Sequence, residues 1–200
     1  YAVLGIGGVR ALRAMGIEPA VYHLNEGHPA LGVFELLAQV RGRQPGIGDA
    51  EAWQRVREQV VFTTHTPVPA GNETYTRDEV LGMLGRVASE FGEREQFLAM
   101  GRMDPANADQ PSGMTALAMR ASRHVNGVSR RHGQVAREMW KPLFPNRALE
   151  GVPIGHVTNG VHVPTWLHGP MRELLDRHLG EGWLARADQS STWAPVGDIP

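Results

Sequence analysis

The sequence predicts an α/β fold in which a mostly parallel sheet is flanked by helices. Short β-prone runs alternate along the chain with segments whose apolar residues recur at helical spacing. Four of the β-prone runs end in a cluster of polar residues, and the carboxyl ends of parallel strands meet at one edge of a sheet. We therefore expect the four polar clusters to build a single shared site.

Two strands and two helices are predicted in the first third of the chain. The β-prone runs are residues 20–24 and residues 60–63. Between them, apolar residues at helical spacing predict one helix, and residues 51–59 predict a second. The apolar residues of the first helix are Leu31, Phe34, Leu37 and Ala38. This order of strand, helices and strand is typical of a parallel crossover.

The same alternation continues along the rest of the chain. Residues 104–113 are predicted as a loop rich in Pro, Asn and Asp, and Asn72 and Thr76 are candidate helix caps. The remaining predicted helices are 77–91, 93–100, 114–120, 130–140 and 170–179, and the remaining predicted strands are 122–125 and 154–157. The predicted sheet therefore has four strands.

The composition is typical of a globular protein with an ordinary core. Of the 200 residues, 42% are hydrophobic and 20% are charged. The formal net charge of −1 gives no electrostatic reason to expect nucleic acid or a membrane as a partner. The absence of cysteine excludes disulfides, thiolate metal sites and a cysteine nucleophile, and it fits a cytoplasmic location. No apolar run approaches the roughly 20 residues of a transmembrane helix.

The sequence starts and stops abruptly. It begins with Tyr1 in an apolar segment and ends with WAPVGDIP, without a closing helix or a polar tail. No charged segment followed by a long apolar core indicates a signal peptide. We therefore expect the chain to be part of a longer protein.

A glycine-rich segment, Gly5-Ile6-Gly7-Gly8, lies near the amino terminus. Its spacing is not that of the G-x-G-x-x-G dinucleotide motif, and no acidic residue ends a following strand as a ribose partner. We interpret the segment as the start of a helix that packs closely against its neighbours.

The first polar cluster holds His23, Glu26 and His28 within a short segment. Its spacing differs from the zinc motif H-E-x-x-H, and a Gly-His-Pro sequence interrupts any helix, so we expect no metal here. Amide, carboxylate and imidazole groups instead suit hydrogen bonding to a polyhydroxylated ligand. In an alternative interpretation, Asn25 and Glu26 only cap the helix that follows.

The second polar cluster, residues 63–66 (TTHT), places three hydroxyls and an imidazole at a strand end. Pro67 and Pro69 stiffen the chain after it and prevent a helix there. A rigid polar loop of this kind favours a role in binding. The alternative is a buried His65 whose ring is satisfied by the flanking threonines.

Two Asn-Gly pairs follow the last two predicted strands. Because Asn-Gly is a common turn dipeptide, Asn126 is assigned to a turn. Asn159 is a candidate ligand residue, since Thr158 precedes it and His162 follows it in the same cluster.

Other chemistries find little support in the sequence. There is no P-loop, no catalytic triad can be argued from spacing, and Glu26 has no evident second carboxylate for a retaining glycosidase. The tryptophans are interpreted mostly as core or helix-packing residues, and none is assigned to a ligand: Trp53, Trp140, Trp166, Trp183 and Trp193.

Four ordered blocks of the sequence resemble the α-glucan phosphorylase family, which acts on glycogen, starch or maltodextrin. The blocks are YHLNEGHPAL, VVFTTHTPVPAGNE, SRHVNGVSRRHGQVAREMW and VPIGHVTNGVHVPTWL. The segment GIGGVRAL before the first block is similar to the bacterial form of the family. The resemblance runs from Tyr1 to about Leu179, and four blocks in this order are more specific than any single motif.

The resemblance implies a glycosyltransferase B architecture, in which two Rossmann-like lobes face each other across a cleft. Residues 1–200 then form part of the N-terminal lobe, and the second, cofactor-binding lobe is absent from the chain. The implied reaction is reversible phosphorolysis, in which orthophosphate attacks the terminal α-1,4-linked glucose and releases glucose 1-phosphate with retention. The implied cofactor is pyridoxal 5′-phosphate, and a homo-oligomeric full-length protein is compatible with the resemblance.

The resemblance also implies roles for five residues. His65 should contact the glucosyl residue at the cleavage point, and Asn159 should hydrogen-bond a hydroxyl of the same sugar. Glu26 and His28 should line the acceptor side of the site, with Thr66 near them. In the family, the position of Glu26 is often Asp.

No residue of this chain is expected to bind the cofactor. The only lysine is Lys141, and it does not match the family's Schiff-base lysine, whose block belongs beyond Pro200. Two alternatives are another retaining glucan or nucleotide-sugar glycosyltransferase of the same architecture, and a carbohydrate-binding module without chemistry. Pyridoxal phosphate in the full-length protein would argue against the first, and good oligosaccharide binding by the chain alone would favour the second.

Overall fold

The computed structural model of the chain describes residues 1–91 and 94–199. These residues form two compact units. The first runs from Tyr1 to Thr158 and holds every strand of the described residues, and the second begins at Asn159 and is built from helical segments. Three of the predicted polar clusters therefore fall within the first unit, and the fourth is divided between the two.

The strands of the described residues are β1 Tyr22–Asn25, β2 Val60–Thr64, β3 Thr74–Tyr75, β4 Ser112–Gly113, β5 His124–Gly127 and β6 Ile154–His156. Four of them form the main sheet in the order β1-β2-β5-β6, and each neighbouring pair is parallel. A separate antiparallel pair joins β3 to β4. The mostly parallel α/β fold that the sequence predicts is confirmed.

The α-helices of the described residues are α1 Gly8–Ala14, α2 Gly32–Arg43, α3 Asp49–Gln59, α4 Arg77–Leu84, α5 Arg94–Ala99, α6 Met114–Arg120, α7 Arg130–Trp140, α8 Val163–Trp166 and α9 Gly169–Leu179. A π-helical turn, Val3–Gly7, leads directly into α1. No helix in the described ranges has the length and apolar character needed to cross a membrane.

The two faces of the main sheet differ in character. One row of register partners is apolar and buried: Leu24, Phe62, Val125 and Ile154. The adjacent row is polar: Asn25, Thr63 and Asn126. Because successive side chains of a strand point to opposite faces, the sheet has an apolar face toward the core and a polar face on the other side.

The boundaries of α4 follow local capping chemistry. The Thr76 hydroxyl accepts a hydrogen bond from Glu79 N, and the Glu79 carboxylate accepts one from Thr76 N, which closes a capping box. Thr76 is therefore a cap, as the sequence predicts. The predicted extent of the helix 77–91 is wrong, because Gly85 has a φ of 53° and ends α4 at Leu84, and a 3₁₀ segment follows.

The region between β2 and α6 contains a pairing that sequence patterns do not detect. β4 lies in the predicted loop 104–113, and two-residue strands have no periodicity to recognise. Asn72, the other candidate cap, instead accepts a hydrogen bond from Thr115 Oγ1 at 3.0 Å. The predicted helix 93–100 corresponds to α5, and Glu93 lies outside the described residues.

The glycine-rich start packs closely against the beginning of α2, as the sequence predicts. A Cβ atom built on Gly5 would lie 2.6 Å from Gly32 N and 2.8 Å from Pro29 O. The same construction at Gly8 meets no atom within 4 Å. The steric requirement for glycine therefore falls on Gly5 and not on Gly8.

The tryptophans differ in burial. Trp140 in the first unit and Trp183 in the second are buried, as expected for packing residues, whereas Trp166 is 79% exposed. Trp183 Nε1 donates to Asp176 Oδ1 at 2.7 Å, and its ring packs edge-on against Trp193. The second unit thus has a small core of its own.

Candidate functional site

The polar segments that follow β1 and β2 start side by side at the carboxyl edge of the sheet. The two strands are parallel neighbours, and Asn25 at the end of β1 is the register partner of Thr63 in β2. Glu26 follows β1 directly and His65 follows β2 directly. The structure therefore produces the juxtaposition that strand order predicts for this edge.

The carboxylate of Glu26 binds the backbone of the neighbouring segment. Its Oε1 atom accepts hydrogen bonds from Thr66 N at 2.8 Å, from Thr66 Oγ1 at 3.1 Å and from His65 N. Glu26 N in turn donates to Thr63 O at 2.9 Å. These bonds tie the end of β1 to the loop that leaves β2.

Glu26 also has an unusual backbone conformation. Its φ of 62° makes it the only non-glycine residue with a positive φ in the described ranges, and such values are uncommon for residues that carry a Cβ atom. α2 begins only at Gly32, with Leu31 at its N-cap. The alternative interpretation that Asn25 and Glu26 cap this helix is therefore wrong.

Three of the predicted site residues line one small cavity at this edge. The cavity has a volume of about 60 Å³, and Glu26, His28 and Thr66 contribute to its wall together with Glu73. The His28 ring stacks on the Tyr1 ring, with the ring centroids 5.4 Å apart. The residues that the sequence assigns to the acceptor side of a sugar site thus lie around a common space.

Tyr75 supports this wall, and sequence reasoning missed it. Its ring packs edge-on against Tyr1, and its hydroxyl donates to Glu73 Oε2 at 2.7 Å. Burial, followed by the hydrogen bond to Glu73, raises the pKa of Tyr75 to about 12. The raised pKa extends to more alkaline pH the range in which the hydroxyl stays protonated and donates to Glu73. The signal in the sequence was weak, because β3 is only two residues long.

His65 presents an exposed side chain at the end of β2. The alternative of a buried histidine satisfied by the flanking threonines is therefore wrong. Its backbone N–H donates to Glu26, and Pro69 begins a short 3₁₀ turn shortly afterwards. The hydroxyl of Thr64 is buried and has no hydrogen-bond partner in the described part of the chain.

The residues weighed as metal ligands have separate partners. His23 Nε2 lies 2.7 Å from Thr63 Oγ1, whereas Glu26 binds the loop after β2 and His28 stacks on Tyr1. Within residues 1–91 and 94–199, no group of three or more His, Asp or Glu side chains is placed to hold a metal ion.

Asn126 belongs to a hydrogen-bonded chain on the polar face of the sheet. Thr63 Oγ1, which contacts His23, donates to Asn126 Oδ1 at 3.1 Å. The assignment of Asn126 to a turn is wrong, because β5 extends to Gly127 and Asn126 pairs with Thr63 inside the sheet. The Asn-Gly dipeptide misled the prediction because the strand runs two residues further than its pattern indicates.

We expect Asn126→Ala to lower the free energy of unfolding by about 0.5–1.5 kcal/mol, because the Thr63 hydroxyl loses its acceptor. The kcat of the full-length protein should stay within about twofold of wild type, since Asn126 is assigned to the sheet and not to the ligand. Asn126→Asp keeps the acceptor for Thr63 Oγ1 but loses the bond that Asn126 Nδ2 donates to Gly127 O, so it is the control for the acceptor alone. A thermal melt and steady-state kinetics of both variants test the prediction.

A close approach of α7 shapes the loop after β5. A Cβ atom on Gly127 would lie 2.7 Å from His132 Nδ1 and 2.9 Å from Gly133 N. Val128 N donates to His132 Nδ1 at 3.2 Å, and His132 N donates to Ser129 Oγ at the N-cap of α7. Packing, rather than a turn conformation, therefore requires glycine at 127. Sequence reasoning missed this role of His132.

Asn159 opens the second unit, shortly after β6 ends at His156. His162 follows Asn159 in the fourth polar cluster. Its Nδ1 atom lies 2.6 Å from the Oγ1 atom of Thr165, a residue of the same unit. The role of Asn159 stays a prediction from the sequence.

These features define the first unit as a Rossmann-like α/β lobe with a hydrogen-bonding site at the carboxyl edge of its sheet. A family model described as carbohydrate phosphorylase matches residues 16–197. The chain therefore belongs to the carbohydrate phosphorylase family.

Individual relatives agree with this assignment. The chain is 42% identical to the maltodextrin phosphorylase of Thermococcus litoralis and 34% identical to the glycogen phosphorylase of Aquifex aeolicus, in both cases over 99% of its length. It is 38% identical to the glycogen phosphorylase of Mycobacterium tuberculosis over 81% of its length. These alignments cover 23%, 28% and 20% of the relatives, so the chain spans about a quarter of the proteins it matches.

The single lysine of the chain does not fit a covalent pyridoxal phosphate site. Lys141 follows α7, and its Nζ donates to Phe144 O at 3.4 Å and to Pro145 O at 3.3 Å. It does not line the cavity formed by Glu26 and its neighbours.

Proposed function

We propose that residues 1–200 are part of the N-terminal lobe of an α-glucan phosphorylase, whose cofactor-binding lobe lies outside this chain. The observation that carries the proposal is the arrangement of Glu26, His28 and Thr66 around one cavity, within the segment matched by the family. Relatives named maltodextrin phosphorylase and glycogen phosphorylase support an α-1,4-glucan as the substrate.

The proposed reaction is reversible phosphorolysis. The bond between C1 of the terminal glucose and the bridging oxygen breaks, and a bond between C1 and an orthophosphate oxygen forms, with net retention. The hydrogen phosphate that attacks C1 supplies, in the net reaction, the proton that the bridging oxygen gains, and this oxygen leaves as a hydroxyl of the shortened glucan. The partners are the glucan, orthophosphate and glucose 1-phosphate, in a cytoplasmic enzyme that can be a homo-oligomer, with no nucleic acid or membrane involved.

The roles proposed for the site residues follow the chemistry of this transfer. His65 contacts the glucosyl residue that moves, and Asn159 hydrogen-bonds one of its hydroxyls. Contacts to a glucosyl unit that gains oxocarbenium character tighten in the transition state, and each can contribute about 1–3 kcal/mol. Glu26, His28 and Thr66 line the acceptor side, where the remaining glucan binds.

The cofactor belongs to the rest of the protein in this proposal. Pyridoxal 5′-phosphate would be held by a lysine beyond this chain, because the single lysine, Lys141, does not match the Schiff-base lysine of the family. The residues of this chain therefore bind and orient the glucan, and no step of the reaction is assigned to the cofactor here.

We expect the isolated chain to produce no glucose 1-phosphate from maltooligosaccharide and orthophosphate, and to show no absorbance of bound pyridoxal phosphate. Half of a two-lobe cleft lacks both the cofactor lysine and the second wall of the site. Enzymatic detection of glucose 1-phosphate and an absorbance spectrum provide the test, with the full-length protein as the positive control. A reducible pyridoxal adduct at Lys141 together with glucose 1-phosphate production would contradict the proposal.

A further inference from the structure

The hydrogen bonds of the Glu26 carboxylate are concentrated on one oxygen. Within the described residues, Oε1 accepts from the backbone N–H groups of His65 and Thr66 and from the Thr66 hydroxyl, as described above. An ionised carboxylate accepts at every lone pair, and its bonds to backbone N–H groups are stronger than neutral ones. The Oε1 atom of Glu26 is therefore hydrogen-bonded to the loop after β2 independently of any ligand.

The backbone of Glu26 is held in an uncommon conformation by the residues around it. Its φ of 62° places it in the left-handed region, and its N–H donates to Thr63 O in β2. The following residue is packed tightly, because a Cβ atom on Gly27 would lie 3.0 Å from Met114 Cβ. A non-glycine residue keeps such a conformation only where surrounding structure determines it, and such residues cluster at functional sites.

One donor of these hydrogen bonds is the backbone N–H of His65, the residue assigned to the transferred sugar. The His65 side chain is exposed, and the direction in which it leaves the chain is set by the backbone from which it projects. That backbone is fixed on one side by β2 and on the other by the bonds that His65 N and Thr66 N donate to Glu26 Oε1. Pro67 restricts the chain beyond it. A change at Glu26 therefore reaches the reacting sugar through His65.

We propose that Glu26 is a positioning residue for the reaction, which sets the orientation of His65 by holding the backbone of His65 and Thr66. This inference rests on the proposed function of His65 and deepens it. Glu26 would then have two roles. Its side chain lines the acceptor side, where it affects glucan binding. Its Oε1 atom holds the loop after β2, which affects the chemical step.

A double-mutant cycle in the full-length protein separates the two roles. If Glu26 acts through His65, Glu26→Ala should lower kcat about tenfold in the wild-type background and less than about twofold when His65→Ala is already present. Glu26→Gln retains an oxygen that can accept the same N–H bonds, so it should restore most of the kcat that Glu26→Ala loses. Should the Ala variant not fold, Glu26→Gly replaces it, because glycine adopts a positive φ without strain.

Amide hydrogen exchange of the same variants measures the hold on the loop without using activity. Exchange at His65 and Thr66 should be at least about tenfold faster in Glu26→Gly than in wild type, whereas the Phe62 amide inside β2 should be unaffected. Unchanged exchange at His65 and Thr66 would overturn the positioning role.

The outcomes of the cycle distinguish this inference from the proposed function. If His65→Ala alone leaves kcat unchanged, the role of His65 in the reaction is wrong and the positioning role fails with it. If His65→Ala lowers kcat but the Glu26 and His65 effects multiply, only the positioning role is overturned, and Glu26 then acts directly on the ligand.

Discussion

Replacement of Asn159 or His65 by alanine in the full-length protein is expected to lower kcat for phosphorolysis roughly 10- to 100-fold, with a smaller change in KM. Both residues are proposed to contact the glucosyl unit that is transferred. A contact that strengthens as the sugar flattens stabilises the transition state more than the bound substrate. Loss of about 1–3 kcal/mol of such stabilisation therefore falls mainly on kcat. Steady-state phosphorolysis of a maltooligosaccharide measures the effect.

Asn126 provides the control for Asn159. Both are asparagines followed by glycine near the end of a strand, but Asn126 lies inside β5 and bonds to Thr63. Wild-type kcat in Asn159→Ala would show that the site is misplaced. The same conclusion would follow if Asn126→Ala were the inactive variant while melting normally.

A methyl group at Gly5 is expected to destabilise the first unit by about 1–3 kcal/mol. In Gly5→Ala, the new Cβ would approach Gly32 N to 2.6 Å and Pro29 O to 2.8 Å. Both contacts are backbone atoms at the start of α2, so no side-chain rotation can relieve them. A thermal melt should show a decrease of about 2–4 °C for each kcal/mol in a chain of this size.

Gly8→Ala is the matched control for this substitution. Gly8 is helical, and a Cβ atom there meets nothing within 4 Å. Alanine reduces the conformational entropy lost on folding and should stabilise by about 0.5–1 kcal/mol. Equal melting temperatures for the two variants would mean that the approach of the two segments is looser than the structure describes.

Much of the fold could be predicted from periodicity. α7 covers the predicted residues 130–140, because helical spacing there is regular and Ser129 supplies an N-cap. The strands of the main sheet were found within about two residues. Buried residues of these strands, such as the register partners Phe62 and Val125, belong to short β-prone runs that a single sequence reveals.

The parts that could not be predicted depend on contacts between distant residues. The sequence indicates that Glu26 and Thr66 belong to strand ends, but not that a carboxylate of one would bind the backbone of the other. The positive φ of Glu26 has no local signal, since glycine or asparagine would be expected there. Gly85 did carry a signal for a helix end, and helical spacing on both sides concealed it.

The strand order of the main sheet has a consequence for how the lobe is made. Its strands lie side by side in the order in which they occur along the chain, so each pairs with the preceding strand of the same sheet. Once β1 is in place, a nascent chain can therefore add β2, β5 and β6 to it in turn. The bond between Glu26 and Thr66 can close as soon as β2 has emerged, while β5 and β6 are still to be translated.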